Sequence, residues 1–346
     1  MVKVLVVDDS ALVRQILKEI LDADPDIEVV GSASDPLIAR DKIKSLKPDV
    51  ITLDIEMPKM DGITFLRNLM RLRPMPVIMI STLTEKGADV TLEALEIGAI
   101  DYVAKPKVDL RENLAAFSDE ITRKVKSAAT ANMRRKESLS DSAEQKPLVA
   151  NRSFKFTSRL IAIGSSTGGP EALKEVLTRL PADCPPVLIA QHIPEAFSGP
   201  FARRMDNCCQ VSVCEAEDGQ AIEPGNVYVA PGHSHLRVAK GANGLVCRLG
   251  QDEVINRHRP SVEALFDSVT EHVNKKAVAV MLTGMGADGA DAMKRLRESG
   301  AHCIAQDEKT SVVWGMPGEA FKRGGVDEQQ PLDKVAERVI ELVSKG

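Results

Sequence analysis

Short apolar segments rich in Val and Ile alternate with helix-length segments along this chain, and this alternation constrains its fold most strongly. The N-terminal part contains five such segments, at Lys3–Val7, Ile27–Gly31, Asp49–Leu53, Pro76–Ile80 and Ile100–Ala104. The intervening segment Ala11–Leu21 carries apolar residues at spacings near the helical period. Because the short apolar runs are continuous rather than alternating, they indicate strands buried on both faces of a parallel sheet. We therefore predict an N-terminal α/β domain with a doubly wound, five-stranded parallel sheet covered by helices.

The same alternation resumes in the C-terminal part. Strands are predicted at Arg159–Gly164, Pro186–Gln191, Ala277–Leu282 and His302–Ala305, and helices at Ser261–Val273, Asp288–Glu298 and Leu332–Val343. A run of β-hairpins is predicted between them, at Val211–Ala216, Asn226–Ala230, His235–Ala239 and Leu245–Leu249. Ala242-Asn243-Gly244 provides a hairpin turn, because Asn-Gly tolerates positive φ at both central positions. We therefore predict a second α/β domain, with a mostly parallel sheet and an inserted β-hairpin region.

A small, polar and charged segment from Ser127 to Ser153 separates the two parts. It is predicted as a linker, with the alternative that the preceding helix continues into Arg134 and Arg135. The predicted division is residues 1–126 for the first domain, 127–153 for the linker and 154–346 for the second domain. Two domains agree with a length of 346 residues, at about 150 residues per domain.

Composition and charge exclude several classes of function. A net charge of −5 and an aromatic share of 3% favour neither a phosphate backbone nor base stacking, so no nucleic-acid binding is expected. No apolar run approaches the ~18 residues that span a bilayer, and Asp8 and Asp9 come too early for a signal peptide. The six cysteines lie in the C-terminal part without a C-x-x-C pair, which indicates reduced thiols. We therefore expect a cytoplasmic protein without membrane insertion.

Charged and hydroxyl residues follow four of the five predicted N-terminal strands. They are Asp8 and Asp9 after the first strand, Asp54 after the third, Ser81 after the fourth and Lys105 after the fifth. Since ligands bind outside the carboxyl ends of parallel strands, these side chains can share one crevice. Clustered carboxylates favour a hard cation such as Mg²⁺, and a carboxylate beside it can accept a phosphoryl group whose oxygen Lys105 holds. The alternative is a set of solvated loop residues.

Three motifs give this domain its resemblance to a known family. VVDDS at Val6–Ser10, LDIEMPKMDG at Leu53–Gly62 and YVAKP at Tyr102–Pro106 resemble those of response-regulator receiver domains. The resemblance implies that Asp54 is the phosphoacceptor and that a histidine kinase is the phosphodonor. It further implies that Mg²⁺ is bound by Asp9, Asp54 and the backbone carbonyl of Glu56, with Asp8 assisting. Ser81 stands at the position of the family's switch hydroxyl and Tyr102 at that of its rotating aromatic residue.

A glycine-rich turn, Gly164–Gly169, follows the first predicted strand of the second domain. It has three interpretations: a phosphate-binding loop, a purely structural tight turn, or a nucleophile elbow. The segment has neither G-x-G-x-x-G nor a Walker lysine, which disfavours a phosphate-binding loop. The pattern G-x-S-x-G around Ser166 favours the third, in which a serine is raised out of the sheet beside helix N–H groups.

A serine nucleophile needs a base, and the base needs an acid that orients it. His192 ends a predicted strand and shares the sheet edge of Ser166 if the two strands are parallel neighbours; His258 is the alternative base. Asp288 follows another strand through the glycine-rich segment TGMGADG. The alternatives are a helix N-cap for Asp288 and a polar strand end for His192. The chain order Ser, His, Asp differs from that of α/β-hydrolases, which disfavours that fold.

Five motifs resemble those of the chemotaxis protein-glutamate methylesterases, the CheB family. They are GSSTGGPEA at Gly164–Ala172, QH at Gln191 and His192, NRHRPSV at Asn256–Val262, LTGMGADG at Leu282–Gly289 and GMPGEA at Gly315–Ala320. The resemblance implies a triad of Ser166, His192 and Asp288, with Thr167 and the backbone of Met285 near the oxyanion. Ser165 stands where some members of the family have Ala.

The same resemblance implies a reaction and its control. The expected reaction is hydrolysis of glutamyl methyl esters, and deamidation of glutamines, on chemoreceptors, without a cofactor for the esterase step. The unphosphorylated receiver domain is expected to cover the active site, and phosphorylation of Asp54 to relieve this. Two alternatives remain open: a receiver-linked serine hydrolase of another ester, and a non-catalytic response regulator, for instance one that binds DNA.

Overall fold

The computed structural model describes residues 1–57, 60–82, 84–105, 114–133 and 160–344. The chain divides into two compact units, Met1–Glu137 and Ser138–Gly346, and each is described by itself. None of the helices in these described ranges combines the length and apolarity that crossing a bilayer requires.

The first unit alternates strands and helices, as predicted. Its strands are β1 (Val2–Val7), β2 (Ile27–Ala33), β3 (Val50–Asp54), β4 (Val77–Ser81) and β5 (Asp101–Ala104). Its helices are α1 (Ala11–Asp22), α2 (Pro36–Leu46), α3 (Gly62–Leu72), α4 (Glu85–Ile97) and α5 (Leu114–Ala129). The strands form a parallel sheet in the order β2-β1-β3-β4-β5, which confirms the predicted five-stranded architecture.

Local signals explain where several of these elements begin and end. Ser10 caps α1 by accepting from the backbone N–H of Val13, and Asp61 caps α3 by accepting from that of Thr64. Strands β3 and β4 are buried along their whole length, because helices cover both faces of the sheet. Helix α5 ends at Ala129, three residues inside the segment predicted as a linker, and the stretch containing Arg134 and Arg135 lies outside the described residues.

The second unit is built on a parallel sheet of seven strands. They are β6 (Leu160–Ser165), β7 (Val187–Gln191), β8 (Ser212–Glu215), β9 (Asn226–Val229), β12 (Ala277–Met281), β13 (His302–Gln306) and β14 (Glu328–Gln330), in the spatial order β14-β13-β12-β6-β7-β9-β8. The helices are α6 (Gly169–Leu177), α7 (Glu195–Asp206), α8 (Val262–His272), α9 (Ala290–Glu298), α10 (Met316–Lys322) and α11 (Leu332–Ser344), with a short 3-10 turn at Asn274–Lys276. An antiparallel hairpin is formed by β10 (His235–Gly241) and β11 (Gly244–Gly250).

Two details of the predicted hairpin region are wrong. Strands β8 and β9 do not form a hairpin; they pair in parallel at one edge of the large sheet, because the chain between them crosses back to the starting end. The turn between β10 and β11 lies within the predicted Ala242-Asn243-Gly244, but Gly241 pairs with Gly244, so the two central residues are Ala242 and Asn243 and not the Asn-Gly pair. Gly244, with φ of 145°, opens the second strand instead.

The order of the central strands positions the functional site. Strand β6 lies between β7 and β12, so the chain moves to one side of β6 first and later returns to its other side. Such a reversal opens a crevice at the carboxyl edge of a parallel sheet. The segments that follow these three strands contain Ser166, His192 and Asp288, respectively, as the sequence predicts.

Candidate active site

The turn after β6 presents Ser166 at the edge of the sheet. Ser166 is partly exposed, and helix α6 begins three residues later with Gly169 and Pro170. The positive φ in this turn, 73°, belongs to Gly168, where a Cβ atom would also lie 2.8 Å from that of Val312. Ser166 thus lies on a glycine-rich turn between a strand and a helix, the arrangement that the sequence predicts, and the positive φ is at Gly168 and not at the serine.

Ser166, His192 and Asp288 form one hydrogen-bonded line. The Oγ atom of Ser166 lies 3.1 Å from Nδ1 of His192, and Nε2 of His192 lies 2.8 Å from Oδ2 of Asp288. The side chains of His192 and Asp288 are only 7% and 1% exposed, so the line is screened from water except near the serine. Sequence reasoning selected these three residues, and the structure brings them together.

Asp288 is held as a carboxylate by several donors. Its Oδ1 accepts from Nδ2 of Asn256 at 2.9 Å and from Oγ of Ser261 at 2.7 Å, and its Oδ2 accepts from the backbone N–H of Val262 at 2.7 Å. Burial raises the pKa of Asp288, but hydrogen bonds from His192, Asn256 and Ser261 outweigh burial, so its pKa lies below the ordinary value. The carboxyl group therefore stays ionised at neutral pH.

Gln191 links the backbone segments that carry the serine and the histidine. Its Nε2 donates to the carbonyl of Ser166 at 3.1 Å and to that of His192 at 3.0 Å. The Oγ of Ser165 donates to Oε1 of Gln191 at 2.7 Å, so the Ser165 side chain contacts this buried amide and not the imidazole. Gln191 thus fixes the separation of the two backbone segments from inside the sheet edge.

The loop after β12 passes directly over Ser166. A Cβ atom on Gly284 would lie 2.9 Å from that of Ser166, so only glycine allows this approach. The N–H of Ser166 donates to the carbonyl of Thr283 at 3.1 Å, and Oγ1 of Thr283 donates to the carbonyl of Thr167 at 3.0 Å. The two predicted oxyanion residues therefore lie at this contact. Thr167 accepts a hydrogen bond from Thr283, and Met285 directly follows Gly284 in the loop.

The remaining predicted candidate, His258, lies beside His192. Their ring centroids are 3.6 Å apart and the ring planes differ by 7°, so the two imidazoles are stacked. The Oγ of Ser166 is hydrogen-bonded to the ring nitrogen of His192, and the N–H of Ser166 is hydrogen-bonded to the carbonyl of Thr283.

The roles of Gln191, Asn256 and Ser261 at the site were not predicted from the sequence. The available signals were the N-cap position of Ser261 and the strand-end position of Gln191.

The first unit contains the predicted acidic pocket. Carboxylate oxygens of Asp8, Asp9 and Asp54 lie within 4.8 Å of one another, and Nζ of Lys105 lies 2.7 Å from Oδ2 of Asp54. Burial raises the pKa of Asp54 to about 6, despite the hydrogen bond from Lys105. Among the described residues, the buried Oδ2 of Asp8 makes no hydrogen bond, its nearest cation being Lys105 at 3.5 Å. An unsatisfied buried oxygen among carboxylates fits a hard divalent cation.

Of the other predicted receiver residues, Glu56 and Ser81 line a cavity of about 510 Å³ beside Asp54, and Tyr102 is not among its lining residues. The N–H of Glu56 donates to Oδ1 of Asp54 at 3.2 Å, and Ser81 Oγ accepts from Oγ1 of Thr91 at 2.7 Å. Tyr102 is buried on β5, with Nζ of Lys124 5.0 Å from its ring centroid.

Both units match known protein families. A family model described as CheB methylesterase matches residues 161–339, and one described as response regulator receiver domain matches residues 4–116. A "Protein-glutamate methylesterase/protein-glutamine glutaminase 2" of Saccharophagus degradans is 54% identical over 345 residues, with 99% of each chain covered. A "Protein-glutamate methylesterase/protein-glutamine glutaminase" of Hydrogenovibrio crunogenus is 52% identical over 373 residues, again with 99% of each chain covered.

The second unit also resembles a solved structure. The crystal structure of the Thermotoga maritima CheB methylesterase catalytic domain is 38% identical, with a TM-score of 0.53. The similarity covers 54% of this chain and 100% of that domain. The chain therefore belongs to the CheB methylesterase family, with a response regulator receiver domain ahead of its methylesterase domain.

Proposed function

We propose that this chain is a protein-glutamate methylesterase and protein-glutamine glutaminase in which Ser166 is the nucleophile, His192 the base and Asp288 the acid that orients it. The observation that carries the proposal is the hydrogen-bonded line of these three side chains, with distances of 3.1 and 2.8 Å. The relatives that share nearly the full length of the chain bear the names of both activities.

The hydrogen bonds fix the tautomer of His192 that the reaction needs. Because the carboxylate of Asp288 can only accept, Nε2 carries the proton and Nδ1 is left as the acceptor for the hydroxyl of Ser166. When Ser166 attacks the ester carbonyl, its proton passes to Nδ1. The resulting imidazolium is stabilised by the buried Asp288 carboxylate, and base catalysis of this type contributes roughly 10²–10⁴-fold in rate.

The tetrahedral intermediate needs donors for its oxyanion. The N–H of Ser166 is engaged with the carbonyl of Thr283, so the donors must come from neighbouring backbone. We assign this role to the N–H groups of Thr167 and Met285, one following the nucleophile and the other following Gly284 in the loop above it. Each such donor is worth about 10²–10³ in kcat.

The reaction closes in two steps that use the same residues. His192 returns its proton to the leaving group, which is methanol from an ester or ammonia from a glutamine side chain, and an acyl-enzyme on Ser166 remains. A water molecule, deprotonated by Nδ1 of His192, then attacks this acyl group. His192 donates that proton to Oγ of Ser166 as the acyl bond breaks, which releases a glutamate side chain and restores the Ser166 hydroxyl. No cofactor takes part in these steps.

The receiver domain supplies the control. We propose that Asp54 accepts a phosphoryl group from a histidine kinase in the cytoplasm and that Asp9, Asp54 and the Glu56 carbonyl bind Mg²⁺ with Asp8 assisting. The bound cation would neutralise the negative charge that gathers during phosphoryl transfer. Lys105 would hold a phosphoryl oxygen, and Ser81 and Tyr102 would respond to it. Phosphorylation must then favour an accessible active site over a covered one, at about 1.4 kcal/mol per tenfold change in their ratio.

Methanol release from chemoreceptor membranes carrying methylated glutamates tests the proposed substrate. We expect release by the full chain, and faster release with Mg²⁺ and a small phosphodonor. A soluble carboxylic ester serves as the comparison substrate. Hydrolysis of that ester without methanol release from the receptors would instead indicate a serine hydrolase of another substrate, and no turnover of either would contradict the assignment of an esterase.

A further inference from the structure

One short turn contacts both His192 and Asp288. In this turn, Ile255–His258, the N–H of Ile255 donates to the carbonyl of His258 at 3.1 Å, and the N–H of His258 donates back at 2.9 Å. Its two central residues, Asn256 and Arg257, have φ of 52° and 69°. Paired positive φ values define the tight I′ type of turn, which is usually built with glycine. A strained, non-glycine turn beside a reactive centre is a reason to look for a role.

The turn reaches the triad at two points. Nδ2 of Asn256 donates to Oδ1 of Asp288 at 2.9 Å. The ring of His258 covers a face of His192, with a centroid distance of 3.6 Å and an interplanar angle of 7°. Asn256 and His258 are two positions apart in the sequence, so one backbone conformation determines where both side chains lie.

Stacking supplies a restraint that the hydrogen bonds of His192 lack. Ser166 and Asp288 hold the imidazole at its two nitrogen atoms, but the ring can still rock about the line that joins those atoms. A flat ring against its face opposes this motion and keeps the nitrogen lone pair directed at the serine oxygen. A shift of about 1 Å in such a group can cost about 10²-fold in rate.

We propose that His258 is a positioning residue, which holds the His192 ring in the plane required for proton transfer from Ser166. Asn256, on the same turn, donates a hydrogen bond to the carboxylate of Asp288, which in turn accepts from Nε2 of the His192 ring. This inference rests on the proposed function, but it concerns the reactivity of Ser166 and not the identity of the substrate. In this role His258 acts through its flat aromatic face on the ring of His192.

The test compares His258→Phe, which keeps a flat ring, with His258→Leu, which keeps bulk without one, and His258→Ala. His272→Ala is the matched control, because His272 lies at the other end of α8 beside Glu271. Two readouts are used with the full chain: the rate at which a fluorophosphonate labels Ser166, and kcat and KM for methanol release.

We expect His258→Leu and His258→Ala to lower both the labelling rate and kcat about 10- to 100-fold, with KM nearly unchanged. His258→Phe should recover most of the loss, and His272→Ala should match the unsubstituted chain. Equal labelling by the Leu variant and the unsubstituted chain would overturn the proposal, as would a Phe variant no better than Leu. If the Ala variant does not fold, the comparison of Phe with Leu still decides.

The labelling readout separates this proposal from the proposed function. Labelling that Ser166→Ala does not abolish would remove the nucleophile assignment, whatever His258 does. Labelling at Ser166 without methanol release would remove the proposed substrate and leave the comparison of His258 variants valid.

Discussion

His192 faces Ser166 with Nδ1 and Asp288 with Nε2, the reverse of the arrangement in chymotrypsin-like proteases. The order of the strands accounts for this. His192 follows β7, and its ring extends across the end of β6 towards the loop that follows β12 on the far side. The nitrogen nearer the backbone therefore meets the serine after β6, and the more distant nitrogen reaches the aspartate.

Replacing the acid of this line tests its orienting role. Asp288→Asn leaves a group of the same shape, but its amide can donate to Nε2 and so favour the wrong tautomer of His192. We expect kcat to fall about 10⁴-fold with little change in KM. The check is single-turnover methanol release by the variant, with Asp291→Asn, an exposed acid on α9, as the control.

The same substitution has a pH-dependent effect on stability. The pKa of Asp288 is lowered in the folded state, so its carboxylate contributes stability that is present above its unfolded pKa, near 3.9, and is lost as the pH falls through its folded pKa. Asp288→Asn should therefore lower the free energy of unfolding at pH 7 by on the order of 2 kcal/mol. The difference should shrink below about pH 4.

Urea unfolding at pH 7 and at acidic pH measures this difference. The only tryptophan of the sequence, Trp314, pairs through its backbone with Gly284 in the loop above Ser166. Its fluorescence therefore reports on the unfolding of this region. A difference between the two proteins that does not change with pH would contradict the account.

Gly284 should tolerate no side chain. A Cβ atom there would lie 2.5 Å from Sδ of Met316 and 2.9 Å from Cβ of Ser166, so Gly284→Ala must displace the loop or the serine. We expect at least about a tenfold loss of kcat and destabilisation of about 1–3 kcal/mol. Gly199→Ala is the matched control, because its added Cβ would meet only ordinary contacts at 3.4 Å or more. Equal activity of the two variants would contradict the close approach.

The sequence supported the prediction that Ser166, His192 and Asp288 would meet, because each of them follows a strand of one parallel sheet. Continuous apolar runs located the strands, and their polar ends then had to meet at one edge. The pairing of β8 with β9 was not predictable in this way, since short strands in a run of turns carry no signal that separates parallel from antiparallel pairing. The roles of Gln191, Asn256 and His258 became apparent only from distances, because these roles depend on contacts across loops.

Mg²⁺ should stabilise the receiver domain through the acidic pocket. A ligand at 100 times its Kd adds about 2.7 kcal/mol, which hydrogen exchange in peptides from β1 and β3 can measure. We expect Asp9→Asn to remove most of this effect and Asp41→Asn, an exposed acid on α2, to leave it unchanged. Equal protection by Mg²⁺ in the unsubstituted chain and in Asp9→Asn would place the cation elsewhere.

Phosphorylation should act through Asp54. Asp54→Asn keeps an acceptor for Lys105 but cannot form an acyl phosphate, so a phosphodonor with Mg²⁺ should no longer accelerate methanol release. Basal release without the phosphodonor should remain as in the unsubstituted chain. Acceleration of the Asn variant would move the phosphoacceptor to another residue.

We propose that Ser166, and not its neighbour Ser165, attacks the substrate, because Oγ of Ser166 lies 3.1 Å from Nδ1 of His192 whereas Oγ of Ser165 donates to Gln191. Methanol release from methylated receptor membranes by Ser166→Ala and Ser165→Ala measures this directly. We expect no release above background for Ser166→Ala and substantial release for Ser165→Ala. Normal release by Ser166→Ala would contradict it.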